Sequence, residues 1–252
     1  MPRVHQLILP SASQYEQKNA RVDREVFENV DLANAQIAHV YATGELPAKT
    51  FLDFPIPYIA TAPMKHSRWS WRKPKEPARV ITFDEVPEAV EERYWNATER
   101  RPHANVIGSF ARESTRNMVE QTLTRIHRFR DDITWKTFVE IPSPEDLASV
   151  DIWTDPAIDD TDLDGFVAEA LVVGLPVVAA RTKMNNSRLE KGRTGWLVPM
   201  RDPNEMTHAI LAALFKPEVV ESKLAASRQT ISKFRARQRT RVLGRMYEDL
   251  IR

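Results

Sequence analysis

The chain has no cysteine. That excludes disulfides, thiolate metal sites and a cysteine nucleophile. The chain is long enough to need no staples, since 252 residues bury roughly 70–75% of the surface exposed when unfolded. An excess of one charge is lacking too: 36 Lys and Arg against 35 Asp and Glu leave a net charge of +1. Global electrostatic binding to nucleic acid is therefore not expected. No apolar run approaches the roughly 20 residues of a membrane span. The opening Met1-Pro2-Arg3-Val4 shows no secretory leader, so the expected location is cytoplasmic. There is no fixed-period repeat. Nor is there a Ser–His–acid triad, a zinc-ligand spacing or a Gly-x-Gly-x-x-Gly fingerprint, so hydrolase, metalloprotein and dehydrogenase readings have no support.

Glycine is scarce as well. Of seven glycines, five (Gly108, Gly165, Gly174, Gly192 and Gly195) fall between positions 108 and 195. Glycine serves where backbone turns tightly or approaches a ligand, so the binding chemistry is expected in this stretch. Apolar runs at 4–9, 35–41, 57–62 and 78–83 read as strands, and 87–95 as a helix. Residues 13–30 are polar with scattered apolar positions, a surface helix or loop. After Arg100-Arg101-Pro102-His103 a second series begins, with strands at 105–110, 133–140, 151–154, 176–180 and 195–198. Helices are expected between them at 114–129, 144–150, 167–173 and 186–191. Asp202 caps a further helix that carries Pro203 at its first position and Met206, Ile210 and Leu214 on one face. Strands alternating with helices predict parallel sheets. The expected domains are 1–101 and 102–252, with 231–252 packing back on the first. The arginines of the last helix are expected on its wet face.

Asp164-Gly165-Phe166-Val167-Ala168-Glu169-Ala170-Leu171, then Gly174-Leu175-Pro176-Val177-Val178-Ala179, is a short helix with one glutamate, a Gly-x-Pro turn and an apolar strand. Gly192-Arg193-Thr194-Gly195-Trp196-Leu197-Val198-Pro199 and Asp202-Pro203 follow. Over about 105–252 this order and spacing resembles the carboxy-terminal half of glycosyltransferase family 4, retaining enzymes of the GT-B fold that use nucleotide-activated sugars. The resemblance implies an α/β chain with two Rossmann-like domains, the first one reduced, and a C-terminal helix crossing back to it. It also implies a nucleotide diphosphate sugar as donor substrate, no cofactor, and a glycan or lipid-linked acceptor.

The residues agree with that reading. Gly165 and Phe166 open the helix, where backbone N–H groups favour anions. Glu169 stands one turn further on, where the family's matching carboxylate accepts hydrogen bonds from ribose hydroxyls. Standing alone it would be an ordinary helix carboxylate. Gly108, read as following a strand, with Arg112 and Arg116 near the next helix start, is the candidate diphosphate site. The family commonly has Gly-Arg there, whereas this chain has Ser109 after the glycine. The family's first glutamate corresponds to Thr161, and Asp162 or Asp164 in the loop Asp159–Asp164 is expected to take its place on the sugar. A solvated acidic loop is the commoner use of such a run, and no metal is expected there. His39 resembles the family's strand-end histidine, which implies contact with the sugar; a lone histidine after a strand is more often a packing residue. Residues 64–79 hold six basic side chains with Trp69 and Trp71, either a solvated connecting loop or a peripheral membrane or acceptor contact. The alternative to an enzyme is a non-catalytic, nucleotide-sugar-binding partner subunit.

Overall fold

A computed structural model describes residues 2–9, 14–29, 35–41, 58–61, 77–80, 85–86, 88–96, 105–162 and 165–251. In chain order the elements are β1 (Arg3–Ile8), α1 (Gln14–Val26), β2 (Glu28–Asn29), β3 (Ile37–Tyr41), β4 (Tyr58–Ala60) and β5 (Arg79–Val80). There follow α2 (Glu92–Trp95), β6 (Val106–Phe110), α3 (Arg116–Ile126), β7 (Thr134–Phe138), α4 (Pro144–Ala148) and β8 (Ile152–Asp155). Then come α5 (Val167–Val173), β9 (Val177–Ala180), α6 (Lys183–Arg188), β10 (Trp196–Val198), α7 (Pro203–Phe215), α8 (Pro217–Thr230) and α9 (Ala236–Ile251). Two compact units result: Met1–Glu91 with Lys233–Arg252, and Glu92–Ser232.

Each unit holds one sheet in which every neighbouring pair is parallel, ordered β2-β1-β3-β4-β5 and β10-β9-β8-β6-β7. Ranked within its own unit, each sheet has the doubly wound order 2-1-3-4-5. The expected α/β class with two Rossmann-like sheets is thus what the chain adopts.

In the second unit, Ile107, Ile152, Val178 and Val198 of the sheet meet Met118 and Ile126 of α3 and Met206, Ile210 and Ala213 of α7. The next residue along β8, Trp153, must face the opposite side, and its indole N–H donates to the Gly165 carbonyl beside α5 at 2.6 Å. Asp202 caps α7 as the sequence predicts, accepting from the backbone of Asn204 and Glu205 at 3.0 and 3.1 Å.

In the first unit, Leu243 and Tyr247 of α9 complete a core of Val4, Phe27, Ile37, Ile59 and Val86. Beside it runs a buried ionic seam. Arg239 grips both oxygens of Asp23 at 2.7 and 2.9 Å, and the Tyr41 hydroxyl donates to Asp23 at 2.6 Å. Arg239 is therefore enclosed, not on a wet face, because a buried carboxylate on α1 requires a cation. Lys18 pairs with Glu88 at 2.6 Å, so α1 turns charged side chains inward.

Two expectations on elements are corrected, and one element was not expected. The helix begun at Pro87 is confined to Glu92–Trp95, and before it the Val90 N–H bonds the Phe234 carbonyl at 2.9 Å instead of a helical partner. The helix expected at 186–191 starts earlier, at Lys183, because the Thr182 hydroxyl caps the Asn185 N–H at 3.0 Å. It also ends earlier, where Glu190, Lys191 and Gly192 take left-handed φ values of 49°, 58° and 94°. Helix α8 was not foreseen at all.

Candidate functional site

In a doubly wound sheet, ligands bind beyond the carboxyl ends of the strands, at the point where strand order reverses. In the second unit that point lies between β6, which ends at Phe110, and β8, which ends at Asp155. The two chain segments leaving these ends carry most of the expected site residues.

Asp155 is 1% exposed. Arg112, two residues past β6, forms an ion pair with its Oδ1, and the Asn185 side-chain amide donates to its Oδ2 at 2.6 Å. Gly165 lies directly against the same carboxylate, with no space for a side chain between them. Phe166 follows with a left-handed φ of 49° and packs its ring on Phe110, centroids 4.9 Å apart. Glu169, in the first turn of α5, is wholly enclosed at 0% exposure. Arg112, Arg116, Phe110, Val119, Glu120 and Thr137 line an adjoining pocket of about 510 Å³. Arg116 is exposed and pairs with Glu113 at 2.5 Å.

The acidic loop is tied down. Asp162 accepts from the Ser114 hydroxyl at 3.2 Å, which links it to the pocket's loop, and from the Ile158 N–H at 2.9 Å. Thr161 donates its hydroxyl and its N–H to Asp159 at 2.6 and 2.9 Å. Those two bonds hold the Asp159 carboxyl below the usual carboxylate range. Asp164 lies outside the described residues, as do residues 64–76 of the basic and aromatic stretch. Among the described residues, no three metal-binding side chains converge.

Two expected residues sit elsewhere than foreseen. Gly108 is inside β6 and not after it, in register with Lys136 and Trp153. A Cβ there would come within 3.0 Å of the Trp153 ring, so this glycine makes room for an indole. His39 is the middle residue of β3 and is fully buried. Its ring stacks on Tyr41 at 4.0 Å, and its Nδ1 meets the Tyr247 hydroxyl at 2.7 Å. Burial is the largest cause; it outweighs the opposing pull of Asp23 and, with a smaller push from Arg239, lowers the pKa to about 3, so the imidazole is neutral.

Sequence reasoning did not single out Asp155 and Asn185. Their signals were local: an Asp-Pro step closing a strand, and a Thr-x-x-Asn helix start. Ser109 also has a role, since its enclosed hydroxyl accepts the Trp135 indole N–H at 2.9 Å.

By fold, the second unit is a doubly wound α/β module, with a guanidinium and a buried carboxylate paired at its switch point and a pocket beside them, lined from β6, the segment after it, α3 and β7. The sequence profile of the glycosyl transferases group 1 matches residues 82–215, more than half of the chain. The chain belongs to that family. No curated protein matches it in sequence. Among solved structures, a glycosyltransferase from Rickettsia africae is similar over 100% of this chain and 99% of its own, with TM-score 0.64 and 9% identity. Anabaena HepE in complex with UDP is similar over 98% and 100%, with TM-score 0.68 and 9% identity. TarM of S. aureus, in complex with fondaparinux, alpha-GlcNAc-glycerol and UDP, is similar over 84% of this chain and 55% of its own, with TM-score 0.59 and 10% identity. Identities this low speak for the shared GT-B fold alone. Among the described residues no helix is long and apolar enough to cross a membrane.

Proposed function

We propose that this chain transfers a hexose from a nucleoside diphosphate sugar to a glycan or lipid-linked acceptor, with retention at the anomeric carbon. The observation that carries the reading is Glu169, enclosed in the first turn of α5 beside the sheet's switch point. An acid held out of water at such a place suits the hydroxyl pair of a ribose, at about 1.5–3 kcal/mol per charged hydrogen bond. Arg112, with Arg116 on the same pocket wall, faces the diphosphate. A guanidinium there stabilises the charge that grows on the leaving group, and no protein nucleophile is required. Gly165 and Phe166, at the start of α5, are assigned to the nucleotide sugar, and Asp162, with Asp164, takes the sugar hydroxyls in place of the glutamate replaced by Thr161. His39, enclosed in its own unit, is assigned to packing. UDP is the first donor base to test, since the HepE fold holds UDP and UDP-glucose. The reading requires no cofactor and no metal, and places the chain in the cytoplasm; the stretch 64–79 is the candidate contact with a membrane or acceptor.

Thermal shift and donor hydrolysis with UDP-, GDP- and ADP-sugars test it. A response to at least one donor, lost in Glu169→Gln, is expected; silence to all of them overturns the reading. Thr161 favours a second reading, a subunit that binds the nucleotide sugar without transfer. Binding with no turnover across a broad acceptor panel would select it.

A further inference from the structure

The guanidinium at the pocket rests on a chain of buried contacts. Arg112 pairs with Asp155. Asp155 is held in turn by the Asn185 amide at 2.6 Å, and its carboxylate fills the space that a side chain at position 165 would need. Asn185 is itself held. Its side-chain Nδ2 also donates to the Ala180 carbonyl at 3.0 Å, its Oδ1 accepts from Arg188 at 3.4 Å, and its N–H is held by Thr182. Asp155, Asn185 and Arg188 are 1%, 1% and 4% exposed.

We propose that Asp155 and Asn185 are positioning residues that aim Arg112 at the diphosphate of the donor. This rests on the function proposed above and extends it to residues that touch no substrate. The physical case is one of preorganisation. An arginine on a loop has many rotamers, and holding it in one costs affinity unless the protein has done so beforehand. A carboxylate on one edge of the planar guanidinium fixes both its place and its plane, and a fork of five donors can serve a carboxylate and a phosphate together. The other arginine on the pocket wall shows the contrast: Arg116 is exposed and its partner Glu113 is exposed as well. Position 109 offers no room for a cation, because Ser109 is enclosed under Trp135.

The test compares a nucleoside diphosphate with its own nucleoside. Calorimetry measures whichever of UDP, GDP and ADP binds the intact chain best, then uridine, guanosine or adenosine. The variants are Arg112→Ala, Asp155→Asn, Asn185→Ala and the double variant of 112 and 155. The preference for the diphosphate over the nucleoside should fall about tenfold in Arg112→Ala. It should fall about fivefold or more in Asp155→Asn and Asn185→Ala, with nucleoside affinity unchanged. On the Arg112→Ala background, Asp155→Asn should have no further effect, because it acts through the arginine. A purely structural role would lower Tm and leave the preference intact, and that result overturns the proposal. So does an unchanged preference in Arg112→Ala. If the intact chain binds none of the diphosphates, the proposed function itself fails and takes this inference with it. Should Asp155→Asn not fold, Asn185→Ala leaves every charge in place and decides alone.

Discussion

A methyl group is more than Gly165 has room for. A Cβ at this position would collide with the Asp155 carboxylate, and overpacking of this kind costs about 1–3 kcal/mol. Gly165→Ala should therefore lower the unfolding free energy by that amount in urea titration, and weaken nucleotide binding further through the displaced carboxylate. His39 makes a prediction of opposite kind, on pH. Folded, it titrates near 3, against an ordinary value of 6.5. Between those values the unfolded chain binds a proton that the folded chain does not, so stability declines as pH drops below 6.5 and keeps declining towards 3. From pH 6.5 to 4.5 the loss attributable to this group is about 2 kcal/mol. Urea unfolding of His39→Asn over that window should show an acid limb flatter by about that much; an unaltered slope would assign the titration elsewhere. At this scale the sequence revealed Arg112 and Glu169 as residues worth watching. It could not reveal Asp155, because a strand-end aspartate becomes telling only when residues 112 and 185 are seen to converge on it.

Helix α8 was invisible in the sequence for a physical reason: among its residues only Ser227 is buried, so it presents no apolar stripe to read. One of its side chains reaches back to β10. Lys223 donates to the carbonyls of Gly192 and Gly195 at 2.7 and 2.9 Å and stands over the Trp196 ring at 5.0 Å, clamping the turn that leads into β10. Partial burial lowers its pKa. Lys223→Met should raise amide exchange across 192–195 roughly tenfold, the counterpart of about 1.4 kcal/mol of lost hydrogen bonding. Unchanged protection there would show the turn to be self-supporting. Helix α1 was ambiguous for a related reason. Its inward face carries Glu16, Lys18, Asn19 and Asp23, and periodicity analysis presumes that inward means apolar. By contrast the strands from β6 to β10 were legible to within a few residues, because proline, glycine or a capping side chain punctuates most of their ends.

At the scale of the whole chain, the two sheets repeat one strand order, and the family match over 82–215 falls largely on the second. The first unit depends on a distant segment, since α9 supplies Arg239, Leu243 and Tyr247 to its interior. Deleting residues 233–252 should strand Asp23 as a buried charge, at about 3–5 kcal/mol, and empty part of the core. Calorimetry of the shortened chain should show loss of one transition while the fold of 92–232 persists; two intact transitions would refute this. The same dependence sets an order of events during synthesis. Asp23 leaves the ribosome 216 residues before Arg239, an interval on the order of ten to forty seconds. Folding of the nascent chain therefore runs against the usual direction: the unit of 92–232 can finish first, and the amino-terminal one has to wait for α9 to emerge.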